Sequence, residues 1–205
     1  MDAKDWDERY ATADLVWSAE PNRFVEEIVA PLTAGTAIDI AAGEGRNAIW
    51  LAQQGWTVTA TDYSSVAVER MRARADALLG AEAGRLTPLV ADATVPAPGG
   101  PAAYDLALFC YLQLPASELR VALRHGVEAV RPGGRVLVVG HAGRNLAEGW
   151  GGPSSRDVLY DPDEVVDAVD GLPVVVEHAG IRVRPVETEE GPREALDTVV
   201  VLRRD

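Results

Sequence analysis

The apolar pattern of the chain predicts an α/β fold: a doubly wound, mostly parallel sheet with helices on its faces, ending in an antiparallel C-terminal hairpin. Two observations carry this expectation. Short apolar runs alternate with stretches of helical periodicity from Ala37 to Gly140, the order expected when helices connect parallel strands. Beyond Val174 the pattern becomes two β-rich runs joined by a short acidic turn around Glu190-Gly191, and strands joined without a helix pair antiparallel.

In chain order, Ala37 to Ala41 reads as the first strand and Arg46 to Gln54 as its helix. Thr57 to Thr61 is the second strand, stopping at Asp62, and Ser64 or Ser65 caps a helix that runs to about Leu79. The third strand, Leu86 to Ala91, ends at Asp92, and proline and glycine then crowd Val95 to Pro101 into a surface loop. Tyr104 to Cys110 is the fourth strand. Pro115, preset for a first helical position, opens a helix with Leu119, Leu123, Val127 and Val130 on one face, and Pro132-Gly133-Gly134 stops it. Arg135 to Gly140 is the fifth strand, followed by a Gly-rich irregular stretch from His141 to Ser155. Asp161-Pro162-Asp163-Glu164 joins a cap, a first-turn proline and a capping-box acid, and so starts another helix. Val174 to Val186 and Leu196 to Arg203 form the hairpin.

Composition narrows the function. The 205 residues can bury roughly 70% of the surface of the unfolded chain, enough for one sizeable core. A net charge of −13 disfavours nucleic acid, whose phosphates need a basic footprint, and points to a small-molecule partner. One cysteine, Cys110, permits neither an internal disulfide nor a cysteine metal cluster. No apolar run approaches the ~20 residues of a membrane span, and the polar, acidic start is unlike a signal peptide, so a cytoplasmic protein with no membrane partner is expected. The hairpin edge is compatible with a monomer or a homodimer.

The most informative segment is Ala37-Ile38-Asp39-Ile40-Ala41-Ala42-Gly43-Glu44-Gly45-Arg46-Asn47-Ala48, a strand, a glycine turn and a helix start. Glycines let a ligand approach the backbone, and the first N–H groups of the helix face it. Taken literally, Gly43-x-Gly45-x-x-Ala48 with Asp62 downstream also fits the dinucleotide fingerprint, so the turn alone leaves two adenine-containing cofactors open.

The order Asp39-x-Ala41-x-Gly43-x-Gly45, then Asp62 and Asp92 after successive strands, then Pro132-Gly133-Gly134 before strand five, resembles class I S-adenosylmethionine-dependent methyltransferases. Trp6-Asp7-Glu8-Arg9-Tyr10 and Trp17-Ser18-Ala19-Glu20-Pro21-Asn22 look like the lead-in of small bacterial tellurite-resistance and thiopurine-type members. The resemblance implies a Rossmann-like fold in a single domain over residues 1–205, with 1–30 a helical lead-in or lid and 31–205 the cofactor-binding core. It also implies a cofactor site of Asp39, Ala41, Gly43, Gly45, Asn47, Asp62, Tyr63, Asp92, Ala93 and Cys110. In that site Asp39 would help hold the ammonium, Asp62 the ribose hydroxyls and Asp92 the adenine amino group. A dehydrogenase shares the glycine turn and Asp62 but leaves Asp92 and the hairpin unexplained, and the chain lacks a Tyr-x-x-x-Lys pair.

The expected reaction is in-line methyl transfer from S-adenosylmethionine to a small molecule, leaving S-adenosylhomocysteine. The expected acceptor is a hydroxyl, as on a sugar, a phenol or a heterocyclic metabolite, which calls for a base, and His141, just after strand five, is the candidate. A thiol or chalcogen acceptor needs none. Tyr10, Trp17, Asn22, Tyr111, Trp150 and Tyr160 are candidates to line the acceptor pocket, and no metal is expected. A non-catalytic cofactor-binding protein would carry the same cofactor residues.

Overall fold

The computed structural model describes residues 3–11 and 20–205; Trp17 lies outside them. Helix α1 (Ala3–Ala11) and helix α2 (Arg23–Val29) precede the sheet. Strand β1 (Thr36–Ile40) and helix α3 (Arg46–Gln53) come next, then β2 (Thr57–Asp62), α4 (Ser65–Leu79) and β3 (Leu86–Val90). Strand β4 (Tyr104–Cys110), α5 (Ala116–Ala129) and β5 (Val130–His141) follow. The short α6 (Asn145–Glu148) and α7 (Pro162–Ala168) lead to the hairpin of β6 (Val174–Thr188) and β7 (Gly191–Arg204).

The seven strands lie in the order β3-β2-β1-β4-β5-β7-β6, parallel as far as β5 and antiparallel from β5 to β7 and β7 to β6. This is the mostly parallel sheet with a terminal hairpin that the hydrophobic pattern implies. Successive side chains alternate between faces, so Ala37 joins a cluster with Leu51, Val58, Met71, Leu106 and Val139, while Ile38 and Ile40 join Phe109, Leu123, Val138 and Val200 on the other. Each buried Leu or Ile contributes roughly 1.5–3 kcal/mol.

Local chemistry explains the helices. The Ser64 hydroxyl accepts from the Ala67 N–H at 3.1 Å and caps α4, whose Ala67, Val68, Met71, Ala75 and Leu79 form its buried stripe. The Glu164 carboxylate accepts from the Asp161 N–H at 2.7 Å, closing the capping box of α7.

Two local expectations are corrected. Pro115 is the cap before α5 and Ala116 the first helical residue. Pro132-Gly133-Gly134 does not end that helix; Val130 already pairs with Tyr104, and the tripeptide is looped out of β5 before pairing resumes at Leu106 with Arg135. Gly133 takes φ 80°, and a Cβ on Gly134 would stand 2.6 Å from the Asp105 carbonyl, so this irregularity needs both glycines.

Helix α5 reaches β4 through Gly126, where an added Cβ would meet two Phe109 ring atoms at 2.5 Å. Gly126→Ala is therefore expected to destabilise the protein by about 1–3 kcal/mol despite the better helix propensity of alanine, as read by urea unfolding.

Candidate functional site

The carboxyl ends of β1 to β4 open onto a cavity of about 330 Å³. Its floor is the turn after β1. Ala41, Gly43 and Gly45 all have positive φ, at 60°, 58° and 80°, and a side chain on Gly45 would also collide with Met71. Alanine in this conformation costs about 1 kcal/mol, a strain that persists where the surrounding structure fixes it.

Asp62 ends β2 with both oxygens facing backbone donors: Oδ2 accepts from the Gly43 N–H at 2.7 Å and Oδ1 from the Ser64 N–H at 2.9 Å. Burial raises its pKa, against the pull of these N–H groups. The Asp92 Oδ1 accepts from both the N–H and the hydroxyl of Thr94 at 2.8 Å, which holds the turn after β3. Asn47 accepts from the Asn22 N–H at 2.8 Å, and burial pushes the neighbouring Cys110 thiol up to about 11, leaving it a neutral wall.

Of the residues expected at the site, Tyr10, Ala41, Gly43, Asn47, Asp62, Tyr63, Asp92, Ala93, Cys110 and Tyr111 line this cavity. Gly45 shapes the turn from behind. Asp39 lies beneath the floor, fully buried, and neither carboxylate oxygen has a hydrogen-bond partner at good geometry, although the Ala48 N–H points its way. Burial pushes the Asp39 pKa up to about 8, opposed by the nearby Arg46 and reinforced by Asp62.

Other placements differ from the sequence expectation. Tyr160 is a core residue, because its ring packs on Gly140 and its hydroxyl points at the Val139 carbonyl, 3.4 Å away. Trp150 lies on the surface with the Arg193 guanidinium 5.2 Å from its ring centroid, away from the cavity. Asn22 caps α2, accepting from the Phe24 N–H at 2.9 Å, and is not on the cavity wall; it touches two wall residues, donating its N–H to Asn47 at 2.8 Å and its side-chain amide to the Tyr111 hydroxyl at 3.2 Å. His141 is not on the cavity wall: its ring packs against Tyr111 at 4.7 Å between centroids, and its Nδ1 stands 3.2 Å from Asp197.

The structure also brings in residues that the sequence reading passed over. Arg46, the first residue of α3, and Leu112, Gln113 and Leu114, just past β4, line the cavity and follow from the rule that ligands meet the carboxyl ends of strands. Trp6, which opens the lead-in motif on α1, also lines it, as do Arg74 from α4 and Glu118 from α5, which nothing local in the sequence marks.

Residues 37–134 match the family model described as a methyltransferase domain. Over this stretch the chain is similar to a methyltransferase domain. A comparison with curated proteins found no match. Among solved structures, the protein of "Conversion of a Disulfide Bond into a Thioacetal Group during Echinomycin Biosynthesis" superposes with TM-score 0.79 at 20% identity, covering 99% of this chain and 91% of that one. TehB from Haemophilus influenzae gives 0.70 at 14%, covering 99% and 67%. The glycopeptide N-methyltransferase MtfA complexed with S-adenosylmethionine gives 0.67 at 18%, covering 92% and 96%.

The cavity suits S-adenosylmethionine, the cofactor that the sequence resemblance implies, on chemical grounds. The cradle has glycines where backbone must approach a ligand, and a buried carboxyl without a strong donor lies under the turn, where a cationic group would favour its ionised form. A raised carboxyl pKa means that the folded, cofactor-free protein binds a proton that the unfolded chain has released. The stabilisation is therefore full below about pH 4, the ordinary aspartate value, and is lost as pH rises through the folded value of about 8. Asp39→Asn, which cannot ionise, is expected to flatten the decline in melting temperature of the ligand-free protein between pH 5 and 8.

Proposed function

We propose that the protein transfers the methyl group of S-adenosylmethionine to a small-molecule acceptor bound at the Tyr111 end of the cavity. The observation that carries this reading is the continuity of the cavity: one chamber runs from Asp62 and Asp92 past the glycine turn to Tyr111, Leu112 and Gln113. Asp62 would hold the ribose with the lone pairs left over from its two backbone bonds, and Asp92 and Ala93 the adenine edge. Gly43, Ala41, Asn47 and Cys110 would surround the methionine tail, with Asp39 favouring its ammonium from below. The cofactor supplies an activated methyl group on a sulfonium. The protein's part is to align the acceptor with it and exclude water, and alignment can supply ~7–11 kcal/mol. Trp6 and Tyr10 on the cavity wall fit a lead-in of residues 1–30 acting as cover for a single domain of 1–205.

A hydroxyl acceptor would need a base, and the Tyr111 ring stands between His141 and the cavity. Burial and the Asp197 charge raise the Tyr111 pKa far above the ordinary phenol value, so Tyr111 is no base itself. This arrangement favours acceptors that react without one, such as thiols and chalcogen anions. The hydroxyl reading with His141 as base, which the sequence favours, becomes the second, supported by the His141–Asp197 pair, which would orient the imidazole.

Release of S-adenosylhomocysteine on incubation with thiols and selenium anions, against sugars and phenols, separates the two. Turnover only with hydroxyl acceptors, abolished in His141→Ala, would reverse the preference. Binding of S-adenosylhomocysteine with no turnover on any acceptor would favour a non-catalytic cofactor-binding protein. Asp62→Ala is expected to weaken S-adenosylhomocysteine binding by ~1.5–3 kcal/mol in calorimetry, the usual value of hydrogen bonds to a charged group.

A further inference from the structure

A buried polar cluster lies directly behind Tyr111 and is assembled from five separate parts of the chain. At its centre is Asp197 on β7, a carboxylate with no exposed surface. The Tyr111 hydroxyl donates to its Oδ2 at 2.8 Å and the Arg184 Nε donates to the same oxygen at 2.7 Å. His141, directly opposite Asp197 in the β5–β7 pairing, approaches Oδ1 at 3.2 Å. Asn22 donates to the Tyr111 hydroxyl from the other side. Asp197 and Arg184 both lie outside the residues that match the methyltransferase family model.

Burial alone would raise the Asp197 pKa, yet contacts from His141, Arg184 and Tyr111 outweigh it and hold the carboxyl below its ordinary range. It is therefore a buried anion. Such pairs are weak contributors to stability, since apolar groups of similar shape commonly do as well. The effect of this cluster that reaches the cavity is to fix one side chain, Tyr111. That residue also has φ 61°, a left-handed conformation costly for a bulky side chain, held by its N–H donating to the Val139 carbonyl at 2.7 Å. Both the strained backbone and the tethered hydroxyl turn the ring toward the cavity it lines.

The ring is already a cation acceptor. The guanidiniums of Arg46 and Arg184 lie 5.8 and 5.7 Å from its centroid. Asp197 neutralises Arg184, and the hydroxyl's donation to a carboxylate enriches the ring in electron density.

We propose that Asp197 is a positioning residue that acts through Tyr111, setting the ring where the cationic sulfur of the methyl donor is distinguished from the neutral sulfur of the product. The proposal rests on the reading that the cavity holds this cofactor with its reacting sulfur at the Tyr111 end. A purely structural cluster would affect both ligands alike, whereas a positioned ring discriminates between them.

The test is calorimetric binding of S-adenosylmethionine and S-adenosylhomocysteine to the intact parent protein and to Tyr111→Leu, Tyr111→Phe and Asp197→Asn. Tyr111→Leu should lose S-adenosylmethionine affinity by about two- to thirtyfold, the range of a cation–aromatic contact, with S-adenosylhomocysteine within about twofold of the parent. Asp197→Asn and Tyr111→Phe, which keep the ring but loosen its tether, should shift the ratio of the two affinities in the same direction by a smaller factor. Equal changes for both ligands, or an unchanged ratio in all variants, would overturn the proposal. If Asp197→Asn does not fold, Tyr111→Phe tests the same link from the other end. Failure of the parent protein to bind either ligand would instead sink the functional reading on which the proposal rests.

Discussion

The parallel pairing of β1 with β4 is the constraint on which the site depends. Chain order in the sheet reverses between these strands, β2 and β3 extending to one side and β5 to the other. Crossover connections therefore leave in opposite directions and open a crevice at the carboxyl edge, where α/β sheets bind ligands. The pairing of Ile40 with Phe109 brings the two chain exits side by side, so Ala41 and Tyr111 turn off the sheet as neighbours. Both do so with positive φ, the only described non-glycine residues besides Ala102 to do so. A one-residue slip in this register would send Asp39 to the opposite face and take Tyr111 away from the turn.

The parts legible in the sequence are those written in short segments. Strand, turn and helix periods locate β1 to β4 and their helices to within a residue or two, because each element's apolar pattern is set by its own spacing. The hairpin was legible for the same reason. Pro132-Gly133-Gly134 is ambiguous in the sequence, because a proline-glycine pair signals a break without saying whether the break ends a helix or interrupts a strand. Only the packing of Gly134 against Asp105 and Val130 decides that.

The site separates along the same line. Residues at strand ends, from Ala41 to Cys110, could be placed at one edge by topology alone. Trp150 lies within the irregular stretch after β5 and Tyr160 just beyond it, but one stays on the surface and the other fills the space above Gly140, a choice made by tertiary contacts. Asp197 carries no local signal for a related reason: it stands at the start of an apolar strand run, while its partners come from positions 111, 141 and 184. His141 stands out in the sequence by its place after β5, and tertiary packing sets its ring against Tyr111, behind the cavity wall.

Two buried carboxyls flank the crevice, and they show opposite solutions to the same cost. Asp197 accepts from Tyr111 and Arg184 at Oδ2 and has His141 beside Oδ1, contacts that hold its carboxyl below the ordinary range. Asp39 has a single cation, Arg46, among its electrostatic neighbours and no well-formed hydrogen bond, so in the absence of a ligand its lower-energy state at neutral pH is the protonated one. An apolar side chain at residue 39 would pack between Ala60 and Leu108 without that cost, since both flanking residues on the neighbouring strands are apolar. A carboxyl kept there is poorly solvated and lies under a strained turn, so it destabilises the empty fold and is best satisfied when positive charge arrives above it. Stability given up at Asp39 and Ala41 is then recoverable only on binding, which links the occupancy of the crevice to the order of the turn that forms it.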